Sequence, residues 1–146
     1  MSKVVPFLNF AGQAAQAMEL YEKAFDAKVI QKLTYSDMNP GDAVSEVKEE
    51  YKEMIGYSEI EIKGEIISLY DDCNAFEKRA SVSGNLCLID LLVHFETDEE
   101  LKTAYDILSE GATITAPLYS QTYCSLTCAL IDKFGGRWQL MSGYKG

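Results

Sequence analysis

The feature that most constrains this sequence is an internal repeat. The segment DKFGGRWQL at residues 132–140 predicts a glycine turn that leads into a strand of alternating apolar and polar residues. The segment GEIISL at residues 64–69 is a weaker copy, and it aligns Ser68 with Gln139. The chain is therefore expected to contain one structural module twice.

A second alignment extends this repeat across both halves of the chain. An offset of 84 residues (105 − 21) superposes Tyr21 on Tyr105 and Ile30 on Ile114. In both halves the predicted elements follow the order β-α-β-β-β. This order predicts an α+β fold of two tandem modules, each a small, curved, mostly antiparallel sheet with a helix outside. The inner faces are expected to form a cleft, where ligand sites are usually built.

Apolar periodicity places the individual elements. Residues 13–25 have helical spacing, and Thr97 with Glu100 forms a predicted capping box for a second long helix that ends before Gly111. Asp42 is expected to cap a short helix that reaches Met54. The predicted strands cover residues 3–10, 28–36, 57–63, 65–70, 86–95, 112–116, 121–131 and 137–142.

Length and composition predict a single folded domain. The chain has 146 residues and 47% hydrophobic residues, which is enough for a proper core. We expect one domain over residues 1–146, with a first module at about 1–72, a linker at about 73–84 and a second module at about 85–146. Each half is too small to be expected to fold stably on its own.

The charge and the cysteines restrict the partners and the compartment. A net charge of −10 argues against nucleic acid and anionic membranes, and it suits a cationic or neutral small ligand. No apolar run approaches the roughly 20 residues of a membrane span, and residues 1–6 carry no signal-peptide pattern. The four cysteines form no C-x-x-C pair, so buried, reduced thiols are expected. These observations predict a cytoplasmic protein.

Three segments carry a resemblance to a known family. They are PFLNF at residues 6–10, LYEKAF at 20–25 and DKFGGRW at 132–138. Together with the repeat, they resemble the PhnB-like branch of the glyoxalase, bleomycin-resistance and extradiol dioxygenase superfamily, also called vicinal oxygen chelate proteins. The resemblance covers nearly the whole chain. It implies a glyoxalase-like domain, and we expect a homodimer.

The resemblance also implies where a metal ion would be held. Catalytic members hold a divalent metal with four side chains, one from each of four strands. The corresponding positions here are Pro6, Asp90, Ser68 and Gln139. Proline cannot be a side-chain ligand and serine is a poor one, so only Asp90 and Gln139 remain as candidates. No bound metal or other cofactor is therefore expected.

The same alignment predicts which residues line the cleft. Alternation along a strand puts Leu92 and His94 on the face of Asp90, and Arg137 on the face of Gln139. Leu8, Phe10 and Met141 are the expected apolar lining, whereas Trp138 and Leu140 are expected under a helix. Arg137 is the expected ion-pair partner of Asp90. The candidate binding residues are Ser68, Asp90, His94, Arg137 and Gln139.

These residues support three hypotheses about function. The first is a metal-free protein that binds a small molecule. The second is a metal-dependent lyase, isomerase or dioxygenase, with Asp90 and Gln139 as ligands and His94 as a further candidate. The third is a structural or regulatory dimer with a filled cleft. A label of demethylubiquinone methyltransferase is also attached to this branch, but the sequence has no Gly-rich strand-to-helix loop of the nucleotide-binding kind. The sequence does not identify the ligand or decide whether the protein is an enzyme.

Overall fold

The computed structural model of the protein describes residues 2–38, 48–72 and 88–146. The chain divides into two compact units, residues 1–86 and 87–146. Each unit contains one long helix and one four-stranded sheet, in the order β-α-β-β-β. The predicted α+β fold of two tandem modules is confirmed. Neither long helix in these ranges is long and apolar enough to cross a membrane.

The first unit has one parallel and two antiparallel strand pairs. Its strand order is β1-β4-β3-β2, and β1 is parallel to β4. The helix contacts β3 and β4 through the buried face that the sequence predicts, which includes Met18, Tyr21 and Phe25. The elements are β1 (Phe7–Phe10), α1 (Ala14–Phe25), β2 (Lys28–Thr34), β3 (Ile55–Ile62) and β4 (Glu65–Asp71).

The second unit repeats this arrangement. Its strand order is β5-β8-β7-β6, and β5 is parallel to β8. The helix contacts β5, β7 and β8, and Trp138 and Leu140 are buried as expected. The elements are β5 (Leu91–Phe95), α2 (Asp98–Ser109), β6 (Thr113–Gln121), β7 (Cys124–Ile131) and β8 (Arg137–Ser142).

The helices and turns follow the sequence pattern closely. The helices begin at Ala14 and Asp98, which is the offset of 84 (98 − 14) found in the sequence. The Thr97 hydroxyl accepts a hydrogen bond from the Glu100 backbone N–H at 3.1 Å, which is one of the two hydrogen bonds of the predicted capping box. Gly64 and Gly135 have φ angles of +88° and +94°, a conformation that side-chain-bearing residues rarely adopt. The repeat therefore reflects shared backbone geometry.

The boundary between β6 and β7 differs from the prediction. The sequence suggested strands over 112–116 and 121–131, separated near Pro117. The structure instead continues β6 through Pro117 to Gln121. β6 is an edge strand, and its register against β7 is irregular on both sides of this proline, so the missing N–H costs no ladder hydrogen bond.

The expected helix from Asp42 to Met54 falls partly outside the described residues. Residues 39–47 are not described, and the part that follows forms only a short 3-10 turn at Glu49–Tyr51. The predicted linker at 73–84 also lies outside the described residues. The division of the chain into modules and linker therefore stays a prediction.

The register of β1 is one residue away from the predicted one. Ser68 corresponds to Gln139 in the repeat, and the strand partner of Gln139 is Leu92. The strand partner of Ser68 is Phe7, so Phe7 takes the position that the sequence assigned to Leu8. Three residues separate β1 from α1, whereas two separate β5 from α2. A single offset therefore cannot align both the strands and the helices of the two units. The prediction that Leu8 and Phe10 line the cleft was wrong. Phe10 is buried on the helix side of the sheet.

The two described cysteines are buried free thiols. Cys124 and Cys128 are each 1% exposed and lie on β7. Burial raises the pKa of the Cys128 thiol to about 11, so it stays protonated at neutral pH. Both behave as the small core residues that the sequence predicted. Cys73 and Cys87 lie outside the described residues.

Asp71 connects the helix of the first unit to its sheet. Its carboxylate is 1% exposed. One oxygen accepts hydrogen bonds from the N–H groups of Gly12 and Ala14, and the other accepts from Ile55, all at 2.9 Å. The helix therefore begins against a buried carboxyl group that accepts hydrogen bonds from backbone N–H groups at the helix start.

Replacement of Asp71 by alanine is expected to destabilise the protein by about 3 kcal/mol, because three backbone donors would lose their acceptor. Chemical denaturation of both proteins measures this difference. The matched control is Asp106→Ala on the exposed side of α2, with an expected change below about 0.5 kcal/mol. Equal stabilities of the two variants would contradict the role of Asp71.

Candidate functional site

Each sheet has one face that is turned away from the helix of its own unit, here called its distal face. In the second unit, Ser142 donates a hydrogen bond to Asp98 of α2, so Ser142, Leu140 and Trp138 lie on the helix side. The intervening residues Arg137 and Gln139 therefore lie on the distal face. Residues paired across neighbouring strands share a face, which adds Leu92 and His94. The predicted alternation is confirmed for β5 and β8.

The distal face of the second sheet brings three predicted residues together. Arg137 Nε donates to Asp90 Oδ1 at 2.8 Å, and Gln139 Nε2 donates to Asp90 Oδ2 at 3.1 Å. The side chains of Arg137 and Asp90 are 32% and 29% exposed. The expected ion pair is confirmed, whereas the hydrogen bond from Gln139 was not predicted. The hydrogen bond from Gln139, followed by the hydrogen bond and charge of Arg137, holds the pKa of Asp90 below its usual range.

His94 lies on the same face but outside this cluster. Its ring meets the ring of Tyr144 edge-on, with 5.4 Å between the centroids. The side chain is exposed, and it makes no hydrogen bond to another described residue. His94 and Asp90 therefore do not form an acid–base pair, in agreement with their spacing along the strand.

Ser68 lies in the first unit, on the distal face of that sheet. It is 4% exposed, and its Oγ lies 3.4 Å from the hydroxyl oxygen of Tyr57. Its strand neighbours on either side are Phe7 and Glu59. The alternation of Tyr57 and Glu59 on one face of β3 was visible in the sequence. The position of Phe7 was not, because the β1 register was misassigned by one residue.

The residues of the second unit fit a metal ion poorly. Both oxygens of Asp90 already accept hydrogen bonds, one of them from a guanidinium whose positive charge opposes a cation. Gln139 directs its amide nitrogen, which cannot be a ligand, toward Asp90. Across residues 2–38, 48–72 and 88–146, no group of three or more His, Cys, Asp or Glu side chains could hold a metal. The two candidates from the family pattern, Asp90 and Gln139, are thus hydrogen-bonded to each other, and Asp90 also pairs with Arg137.

Comparisons with known proteins identify the family. The model of the family described as 3-demethylubiquinone-9 3-methyltransferase matches residues 2–141. Among solved structures, a PhnB protein from Bacillus cereus is 26% identical, with a TM-score of 0.71 over 97% of this chain and 99% of that one. The comparison with curated proteins gives no match.

Two further structures share the fold at lower identity. A protein from Pseudomonas aeruginosa is 17% identical, with a TM-score of 0.76 over 97% of this chain and 98% of that one. A glyoxalase/bleomycin resistance protein/dioxygenase family enzyme from Burkholderia phytofirmans is 15% identical, with a TM-score of 0.61 over 94% and 96% of the two chains.

The lowered pKa of Asp90 predicts a pH-dependent contribution to stability. The contribution is present above the unfolded pKa of about 3.9 and is lost as the pH falls through the lower folded value. Asp90→Asn is therefore expected to cost about 0.5–1 kcal/mol at pH 7, and progressively less as the pH falls through the lowered folded pKa of Asp90. Denaturation of both proteins across this range measures the effect, with Asp106→Asn as the exposed control. A cost that is the same at all pH values would contradict the assigned hydrogen bonds.

Proposed function

The chain belongs to the family described as 3-demethylubiquinone-9 3-methyltransferase, within the PhnB-like branch of the glyoxalase/bleomycin-resistance/dioxygenase superfamily, and we propose that it binds a small molecule without a metal ion. The fold offers distal sheet faces on which side chains are held by packed strands. The methyltransferase label receives no support from the sequence, which lacks a Gly-rich nucleotide-binding loop.

The state of Asp90 carries this proposal. Each oxygen of Asp90 accepts one hydrogen bond and keeps a second lone pair, but the guanidinium of Arg137, with its Nε 2.8 Å from Oδ1, opposes a second cation at the same carboxylate. A metal ion bound to Asp90 would place its positive charge beside the positive charge of the Arg137 guanidinium. The arrangement instead resembles a polar anchor for an organic ligand, in which the protein fixes the donors and acceptors beforehand.

The same cluster offers groups that a ligand can contact. Arg137 uses Nε for Asp90, and its terminal amino groups make no hydrogen bond to another described residue. Gln139 uses its amide nitrogen, which leaves the carbonyl oxygen as an acceptor. Leu92 is 47% exposed beside them and supplies apolar surface. The ligand would thus meet polar and apolar groups on one rigid face.

Elemental analysis of untagged protein tests the absence of a metal, together with thermal unfolding in added Mn²⁺, Fe²⁺, Co²⁺, Ni²⁺ and Zn²⁺. We expect substoichiometric metal and no shift in Tm. A specific metal at 100 times its Kd would add about 2.7 kcal/mol, which is several degrees for a domain of this size. Such a shift, lost in both Asp90→Asn and Gln139→Leu, would favour a metal-dependent lyase, isomerase or dioxygenase.

The proposal also includes a cytoplasmic homodimer. The free Cys124 and Cys128 suit a reducing compartment. The edge strands carry exposed apolar side chains that a second copy could cover: Val29 and Ile30 on β2, and Ile114 and Tyr119 on β6. Light scattering during gel filtration is expected to give twice the 16.3 kDa chain mass. A monomer at micromolar concentration would contradict this part.

A further inference from the structure

Three aromatic rings form a continuous surface on the distal face of the first sheet. The ring centroid of Phe7 lies 4.7 Å from that of Tyr70 and 5.9 Å from that of Tyr57. Phe7 is 50% exposed, although it is a large apolar residue between two strand-borne rings. We call Phe7, Tyr57 and Tyr70 the aromatic surface. Its exposed ring faces carry negative partial charge, which attracts cations.

The carboxylate of Glu59 lies on the same face of the sheet, in line with Phe7 across the neighbouring strands. Ser68 pairs with Phe7 on one side and with Glu59 on the other, so all three side chains are on the distal face. Glu59 is half-buried, and it makes no hydrogen bond or ion pair to any other described residue. Among the described residues this carboxylate has no partner, so it is available to a bound cation.

The next acidic residue on β3 has a different environment. Glu61 also lies on the distal face and, like Glu59, makes no ion pair with a described residue, but the strand pairing puts Lys28 at the position directly opposite it. Opposite-charge pairs of this kind are mildly stabilising in a sheet. Glu59 instead faces Gln31 on the same neighbouring strand. Of these two acidic residues on the distal face of β3, Glu59 is therefore the one whose neighbour on β2 is not a cation.

We propose that the aromatic surface and Glu59 bind the cationic group of an organic ligand, namely an alkylated ammonium. The rings would contact the alkyl groups and the diffuse positive charge, while Glu59 supplies the formal counter-charge. The net charge of −10 also attracts cationic ligands over longer distances. This inference rests on the proposed function, because it assigns a chemical class to the small molecule.

Titration with two small probes tests the chemical class. Choline is the cationic probe, and 3,3-dimethylbutan-1-ol is its neutral counterpart of nearly the same shape. Calorimetry gives the affinities, and amide NMR signals of Ser68 and Glu59 report the location. We expect choline to bind about tenfold more tightly than the alcohol and to shift both signals.

Matched variants then test the residues. Glu59→Gln is expected to weaken choline binding about tenfold, whereas Glu61→Gln on the same strand should change it less than about twofold. Phe7→Leu should also weaken binding, while Tyr57→Phe, which keeps the ring, should not. Thermal unfolding of each variant confirms that the sheet is intact, since these side chains are not in the core.

Several results would overturn the inference. They are equal affinity for choline and the alcohol, no binding of choline at 50 mM (an excess on the order of a thousandfold over protein), or equal effects of Glu59→Gln and Glu61→Gln. These outcomes leave the metal-free proposal standing. A stoichiometric metal in the purified protein would overturn the proposed function instead, and it would leave the choline measurement readable on its own.

Discussion

Each unit of this protein depends on one buried aspartate that is satisfied by hydrogen-bond donors of its own chain. Asp71 holds the start of α1 against β3 and β4, and it is 1% exposed. Asp132 is 4% exposed and accepts from two backbone N–H groups of its turn and from the Trp138 indole. A buried carboxylate is tolerated only when such donors surround it. The two residues therefore connect a helix start or a turn to its sheet.

Fixed registers determine what the distal faces present. On the second sheet, Asp90, Arg137 and Gln139 form a hydrogen-bonded cluster in which opposite charges compensate. This compensation is the physical reason to favour a metal-free ligand site. On the first sheet, Glu59 has no partner among the described residues and shares the distal face with the three aromatic rings, which favours an organic cation. One fold thus carries two distal faces with different chemistry, because the two units share a backbone arrangement and differ in their side chains.

Much of the fold and part of the candidate site could be predicted from the sequence. Helix phase, the Thr97 cap and the turn glycines are local features, so the pattern of neighbouring residues was enough to predict them. The Asp90–Arg137 pair followed from strand alternation once the glycine turn fixed β8. The β1 register could not be predicted, because one extra loop residue shifts a strand without changing its apolar pattern. The continuation of β6 through Pro117 was missed because the edge position of β6 is a property of the sheet order and not of the local sequence.

The central claim is that Asp90 is occupied by Arg137 and Gln139 and does not hold a metal ion. Paramagnetic broadening of amide NMR signals by dilute Mn²⁺ tests it most directly, because the effect falls off steeply with distance from the ion. We expect the amide signals of Leu92 and Gln139 to broaden no more than those of exposed acidic segments, such as the first turn of α2. Selective broadening of Leu92 and Gln139 at substoichiometric Mn²⁺ would contradict the account, because a metal would then sit at Asp90.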